Sequence, residues 1–178
     1  MLLVDVLAEA GVPAGVVNLV TTADAKAVSS RIITDPRLRK LTFTGSTPVG
    51  TSLQEQAAPG LLRTSMELGG NAPFVVLDDA DLDAAVEGAM AAKFRNIGQA
   101  CTAANRFIVH SSVAEEFADR VSERVKAMKI GRGTEEGVQI GPLIDCKAVE
   151  GTAALVKDAV DRGATVRAVL PGDCSRAD

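Results

Sequence analysis

Apolar and polar positions follow two periods along this chain, and the switches between them mark out helices and strands. "LLVDVLAEAG" has apolar residues at helical spacing, "GVVNLV" is short and apolar as a strand is, and "AKAVSSRIIT" returns to helical spacing up to Pro36. "LRKLTFT" predicts another strand. "TPVGTSLQEQAA" predicts a helix with Thr47 as N-cap and Pro48 at the first helical position, where no N–H is needed. "LRTSMELGG" reads as a strand ending in glycines, and "NAPFVVL" as a buried strand. Asp78, Asp79 and Asp81 offer an N-cap and a negative first turn to the helix "DLDAAVEGAMAAKF". After a polar turn come the strand "NRFIVH" and a helix from Val113 with Phe117, Val121 and Val125 on one face. A glycine-rich loop, the helix "KAVEGTAALVKDAVDRG" and a last strand "ATVRAVL" follow. The alternation predicts an α/β fold with mostly parallel strands and flanking helices. The opening helix has no strand before it and "PGDCSRAD" has no pattern, so both ends read as cut.

Composition narrows the function classes. With 178 residues, 47% of them hydrophobic and 24% charged, the chain has enough material for one good core or two small lobes. The net charge of -4 is scattered, with no basic stripe to follow a phosphate backbone, so nucleic acid is not an expected partner. No stretch is apolar and long enough to span a bilayer, and the opening residues carry acids without a basic flank; the expectation is no membrane association and a cytoplasmic location. Cys101, Cys146 and Cys174 are odd in number and fit no C-x-x-C spacing, which indicates neither a disulfide framework nor a zinc site. The single histidine, His110, falls at a strand end. Any cysteine chemistry here therefore needs a base other than imidazole.

Three segments carry candidate chemistry. "FTGSTPVG" puts Gly45 and Gly50 around a strand-to-helix turn, where backbone N–H groups and the helix dipole can meet an anion; the same glycines also serve as simple turn geometry. It is neither a P-loop nor G-x-G-x-x-G. "SMELGGN" ends a strand with Glu67 and two glycines, which permit close backbone approach or a sharp reversal, while a solvated strand-end carboxylate remains the plain alternative. "DDADLD" fails as a calcium loop, with Ala84 where glycine is required and Met90 where the bidentate glutamate is required. Cys101 lies in the polar turn of "KFRNIGQACTAANRF", flanked by Gly98, Gln99 and Asn105, where backbone N–H groups can face a reacting atom; a small buried apolar residue is the competing role.

Taken together, "GVPAGVVNLV", "LTFTGSTPVG", "MELGGNAPFVV", "DDADLDAAVEGA", "GQAC" and "IGPLID" resemble, in order and spacing, the aldehyde dehydrogenase superfamily, and most closely its succinate-semialdehyde dehydrogenases. The resemblance implies a partial aldehyde dehydrogenase fold: residues 1–70 as the C-terminal portion of a Rossmann-like NAD(P)-binding domain, residues 71–178 as the N-terminal portion of the catalytic domain. It implies Cys101 as nucleophile toward an aldehyde and Glu67 as general base for the water that cleaves the resulting thioester. It places Thr44, Gly45, Ser46 and Val49 near the dinucleotide, NAD or NADP, with Leu68 and Gly69 bordering the nicotinamide, and Arg95 on the far carboxylate of the substrate. The family's oxyanion asparagine, its ribose-binding glutamate segment and the strands through which it forms homo-oligomers have no match in this chain. Two other readings follow from the same residues: a non-catalytic fragment that associates with full-length subunits, and a CoA-acylating enzyme, against which the retained Glu67 argues.

Overall fold

A computed structural model describes residues 2–168, and the chain divides into two compact units, Met1–Leu68 and Gly69–Asp178. The first contains α1 (Leu2–Glu9), α2 (Ala25–Ile33), β1 (Lys40–Gly45), α3 (Thr47–Ala57) and β2 (Arg63–Leu68). β1 and β2 pair in parallel, with Lys40 opposite Arg63 and Gly45 opposite Leu68. Parallel neighbours need a crossover, and α3 supplies it. Ile33, Leu53 and Ala57 are buried together against Leu38, Leu41, Phe43, Leu62 and Met66. Gly50 brings α3 close to the sheet: a Cβ there would lie 2.5 Å from Leu68 Cδ2.

The second unit repeats the strand–helix–strand plan with β3 (Ala72–Val76), α4 (Leu82–Phe94) and β4 (Ala104–Val109), followed by α5 (Ala114–Lys126) and α6 (Cys146–Asp161). β3 and β4 are parallel, with a register shift at Pro73, which has no N–H to offer a ladder. Asp81 caps α4, accepting from the N–H groups of Asp83 and Ala84. The core gathers Val76, Val86, Ala89 and Phe117, with Phe74, Leu82, Val109 and Val121 packed around them. Arg120 and Arg124 of α5 reach Asp83 and Glu87 of α4 as surface ion pairs. The Arg124 guanidinium holds the Glu87 carboxyl below its usual value.

Four expectations change. "GVVNLV" forms no strand; β1 pairs with β2 alone, and an apolar run without a ladder partner stays irregular, leaving Val16 and Val20 exposed. Residues 164–168 are irregular as well, and the rest of "ATVRAVL" lies outside the described residues, as does Cys174. The N-cap of α3 is Ser46, in extended conformation, which puts Thr47 and Pro48 inside the first turn. "NAPFVVL" is a strand buried on one face: Val76 is 2% exposed, while Val75 and its register partner Ile108 are 59% and 54% exposed.

Phe117 anchors α5 in the core, whereas Phe107, 6.1 Å from it between ring centres, is partly open to solvent. Phe117→Ala is expected to lower stability by about 3–5 kcal/mol and Phe107→Ala by clearly less. Urea titrations followed by far-ultraviolet circular dichroism check this; equal losses would contradict the packing described.

Candidate active site

In the first unit the parallel register sets Thr44 beside Glu67 and Gly45 beside Leu68. Segments distant in sequence become lateral neighbours, about 4.7–4.9 Å apart as adjacent strands are. Glu67 is exposed and Leu68 half-buried. The start of α3 lies just beyond: Ser46 makes no side-chain capping bond, and Pro48 has no N–H to give. The N–H groups of Thr47 and Val49 belong to the first turn, where a helix has no internal acceptor for them. Gly50 is already committed, its N–H bonded to the Ser46 carbonyl at 3.0 Å and its Cα buried against Leu68. Its role is packing. Val49 is 48% exposed on the helix surface.

In the second unit the register of β3 and β4 aligns the segments that precede the strands, because Ala72 pairs with Ala104. Arg95, Asn96, Ile97 and Gly98 form a turn after α4, in which Asn96, Ile97 and Gly98 have φ of 57°, 53° and 79°. Asparagine and glycine tolerate the left-handed region; isoleucine there costs on the order of 1–3 kcal/mol. The reversal closes with the Gln99 N–H on the Asn96 carbonyl at 3.0 Å. A second turn follows, closed by the Ala103 N–H on the Ala100 carbonyl at 3.0 Å, and Cys101 is its exposed second residue. Ala103 and Ala104 beneath it are buried, so the cysteine rides on small packed residues.

Neighbouring groups fix that turn. The Lys93 ammonium donates to Asn105 Oδ1 at 2.7 Å, and Asn105 Nδ2 donates to the Gly70 carbonyl at 3.5 Å. A Cβ on Gly70 would lie 3.3 Å from the Cys101 carbonyl oxygen, so the second glycine of "ELGG" admits the backbone of the cysteine turn, whereas Gly69 faces open space. Arg95 Nη2 donates to Thr102 Oγ1 at 3.3 Å, and both side chains border a cavity of about 410 Å³ walled by α4 and the turn. Thus the first unit gathers Thr44, Gly45, Ser46, Glu67 and Leu68, and the second sets Arg95 against Thr102, the residue after Cys101, while Cys101 itself does not line the cavity; Glu67 and Cys101 belong to different units. Sequence reasoning missed Lys93, Thr102, the side-chain bonds of Asn105 and the particular use of Gly70. No periodicity links them; only the register of β3 and β4 does. Cys146, the first residue of α6, is exposed as well, so accessibility alone does not distinguish Cys101.

The sequence model of the aldehyde dehydrogenase family matches residues 1–175. The chain belongs to that family. It is 56% identical over 163 residues to a succinate-semialdehyde dehydrogenase of Paenarthrobacter nicotinovorans, covering 92% of this chain and 36% of the relative. A glutarate-semialdehyde dehydrogenase of Pseudomonas putida is 49% identical over 164 residues, covering 92% of this chain and 34% of the relative. In structure the aldehyde dehydrogenase chain matches an NADP-dependent enzyme of Escherichia coli with a TM-score of 0.89 at 51% identity, over 92% of this chain and 34% of that one. It therefore spans about a third of the length of these relatives. No helix among the described residues is long and apolar enough to cross a membrane.

Gly98 combines a positive φ with a close wall, since a Cβ would lie 3.1 Å from the Lys93 carbonyl. Gly98→Ala is expected to cost about 1–3 kcal/mol through both effects. It should also speed hydrogen exchange at the Ala103 amide that closes the cysteine turn. Unchanged exchange at Ala103 with an unchanged urea midpoint would mean that the left-handed segment does not hold the turn.

Proposed function

We propose that this chain provides the nucleophile, the base and one wall of the cofactor site for the NAD(P)-dependent oxidation of a short acid-semialdehyde, with succinate semialdehyde as the favoured substrate. In this reading residues 1–70 are cofactor-domain and residues 71–178 catalytic-domain in origin, and the protein is cytoplasmic. One observation carries it: in a chain matching the aldehyde dehydrogenase family over residues 1–175, Cys101 is exposed on a turn that shares a cavity with Arg95.

Cys101 Sγ adds to the aldehyde carbon and forms a thiohemiacetal, with its own backbone N–H as one donor to the developing oxyanion. The dinucleotide, when bound, supplies the acceptor for the hydride lost from that carbon. Cys101 then holds the acyl group as a thioester, and Glu67 takes a proton from the water that cleaves it, which releases the carboxylate and restores the thiol. Water rather than CoA is the acceptor because the base is retained. Arg95 receives the far carboxylate through its planar guanidinium. The uncommitted Ser46 hydroxyl, the first-turn N–H groups of α3 and the strand end at Thr44 and Gly45 fit the phosphate side of a dinucleotide. Leu68 and Gly69 fit its nicotinamide end, where Gly69 has open space over its Cα.

The test is a chimera in which these residues replace the matching third of the Paenarthrobacter nicotinovorans enzyme. Steady oxidation of succinate semialdehyde, abolished by Cys101→Ala, is expected; turnover surviving Cys101→Ala would refute the reading. In the chimera Arg95→Ala should raise KM for a carboxylate-bearing semialdehyde about ten- to a hundredfold, the worth of a charge-assisted bond, and leave a neutral aldehyde of similar length far less affected. Equal losses for both would make Arg95 structural. The polypeptide of these 178 residues by itself should show no turnover, since lack of one oxyanion donor alone costs about a hundred- to a thousandfold.

A further inference from the structure

We propose that Thr102 is a positioning and specificity residue: it orients the Arg95 guanidinium and completes, with its own O–H, a site for one small carboxylate beside Cys101. The proposal rests on the reading of Arg95 above and adds a residue to it. Arg95 is the first residue past α4, on a long flexible stem that packing does not hold, since the residue is exposed. Its described side-chain bond goes to Thr102 Oγ1 at 3.3 Å. A guanidinium has five N–H donors in one plane, so this single bond selects the plane and leaves other donors free. The threonine oxygen accepts from Arg95 and still has its own proton to donate.

The surroundings say what such a pair would hold. Gly88, Ala91 and Ala92 lie on the same α4 face as Arg95, and with Ala100 and Ala103 they line the cavity of about 410 Å³ without a polar side chain among them. Arg95 is the one charged lining residue, and Thr102 the one other lining residue with a polar side chain. A lone cation in a small, mostly apolar recess favours a small anion, and a planar fork beside a hydroxyl favours a carboxylate. Thr102 directly follows Cys101, and consecutive Cα atoms are about 3.8 Å apart, so the site adjoins the cysteine within one turn, although Cys101 is not itself one of the residues lining the cavity. Valine at position 102 would keep the shape of the side chain and remove both the acceptor and the donor.

The experiment uses the chain as it is and two alkylating probes of similar size, anionic iodoacetate and neutral iodoacetamide, at low ionic strength. Both consume the same thiolate, so the ratio of their rates at Cys101, divided by the same ratio at Cys146, isolates the pull on an anion. A purely structural change moves both probes alike. The expected preference for iodoacetate at Cys101 is about three- to tenfold, the effect of one nearby and partly screened cation. Thr102→Val should reduce it to the level of Arg95→Gln, and Thr102→Ser should keep it. The Arg95 Nε–H resonance, shifted in wild type and Thr102→Ser and moved to the free-arginine position in Thr102→Val, reports the same orientation in folded protein. A preference that falls in Arg95→Gln and persists in Thr102→Val overturns the role of Thr102. A preference unchanged in Arg95→Gln overturns the assignment of Arg95 itself, and the role of Thr102 with it.

Discussion

Parallel strand pairing is the constraint on which the rest of this molecule depends. Two strands running the same way cannot be joined by a tight turn, so each pair here is separated by a helix, α3 in one unit and α4 in the other. The register then brings distant segments side by side at the strand ends. At the C-terminal end of the first sheet Thr44 meets Glu67, and before the N-terminal end of the second sheet Gly70 meets the cysteine turn. Three residues separate β2 from β3, from Gly69 to Asn71, and they include both glycines that follow the carboxylate. Candidate chemistry thus sits where the backbone leaves the ladders and its N–H groups are not spent on them.

The cysteine turn is held by backbone geometry more than by burial. Side chains near it are small or exposed, and the conformation is imposed by three consecutive left-handed residues, the Lys93–Asn105 bond and the narrow approach to Gly70. An isoleucine in the left-handed region is a local cost that a freely chosen loop would avoid. Its presence four residues before the cysteine agrees with a turn whose shape matters more than its stability. Val75 and Ile108 form an exposed face: parallel sheets are normally covered on both faces, and this one is covered on one.

Much of this was legible from the order of residues. Helices α1 to α6 and all four strands fall where periodicity puts them, because each carries enough apolar residues at one spacing to choose its period. Two apolar segments failed, "GVVNLV" and the first part of "ATVRAVL", residues 164–168, since a strand is defined by its partner and a single segment does not reveal whether one exists. Ser46 and Thr47 are both good N-caps, and the choice between them is made by backbone angles rather than composition. Cys101, Glu67 and the glycine turn were visible as candidates with plain alternatives, and only the family resemblance gave them roles. Thr102 was not, and Asn105 was visible only as a polar flank of the turn, for a threonine and an asparagine in a turn are ordinary until the fold shows what they touch.

The central claim is that Cys101 carries the acyl group and that Glu67 governs its release. Rapid acid quench of the chimera during turnover with succinate semialdehyde and NAD or NADP, followed by peptide mass spectrometry, measures this directly. A succinyl group on the Cys101 peptide, accumulating further in Glu67→Gln, is the predicted result. Turnover that proceeds with the acyl group on another residue, or with no more of it in Glu67→Gln than in the unsubstituted protein, would contradict the account.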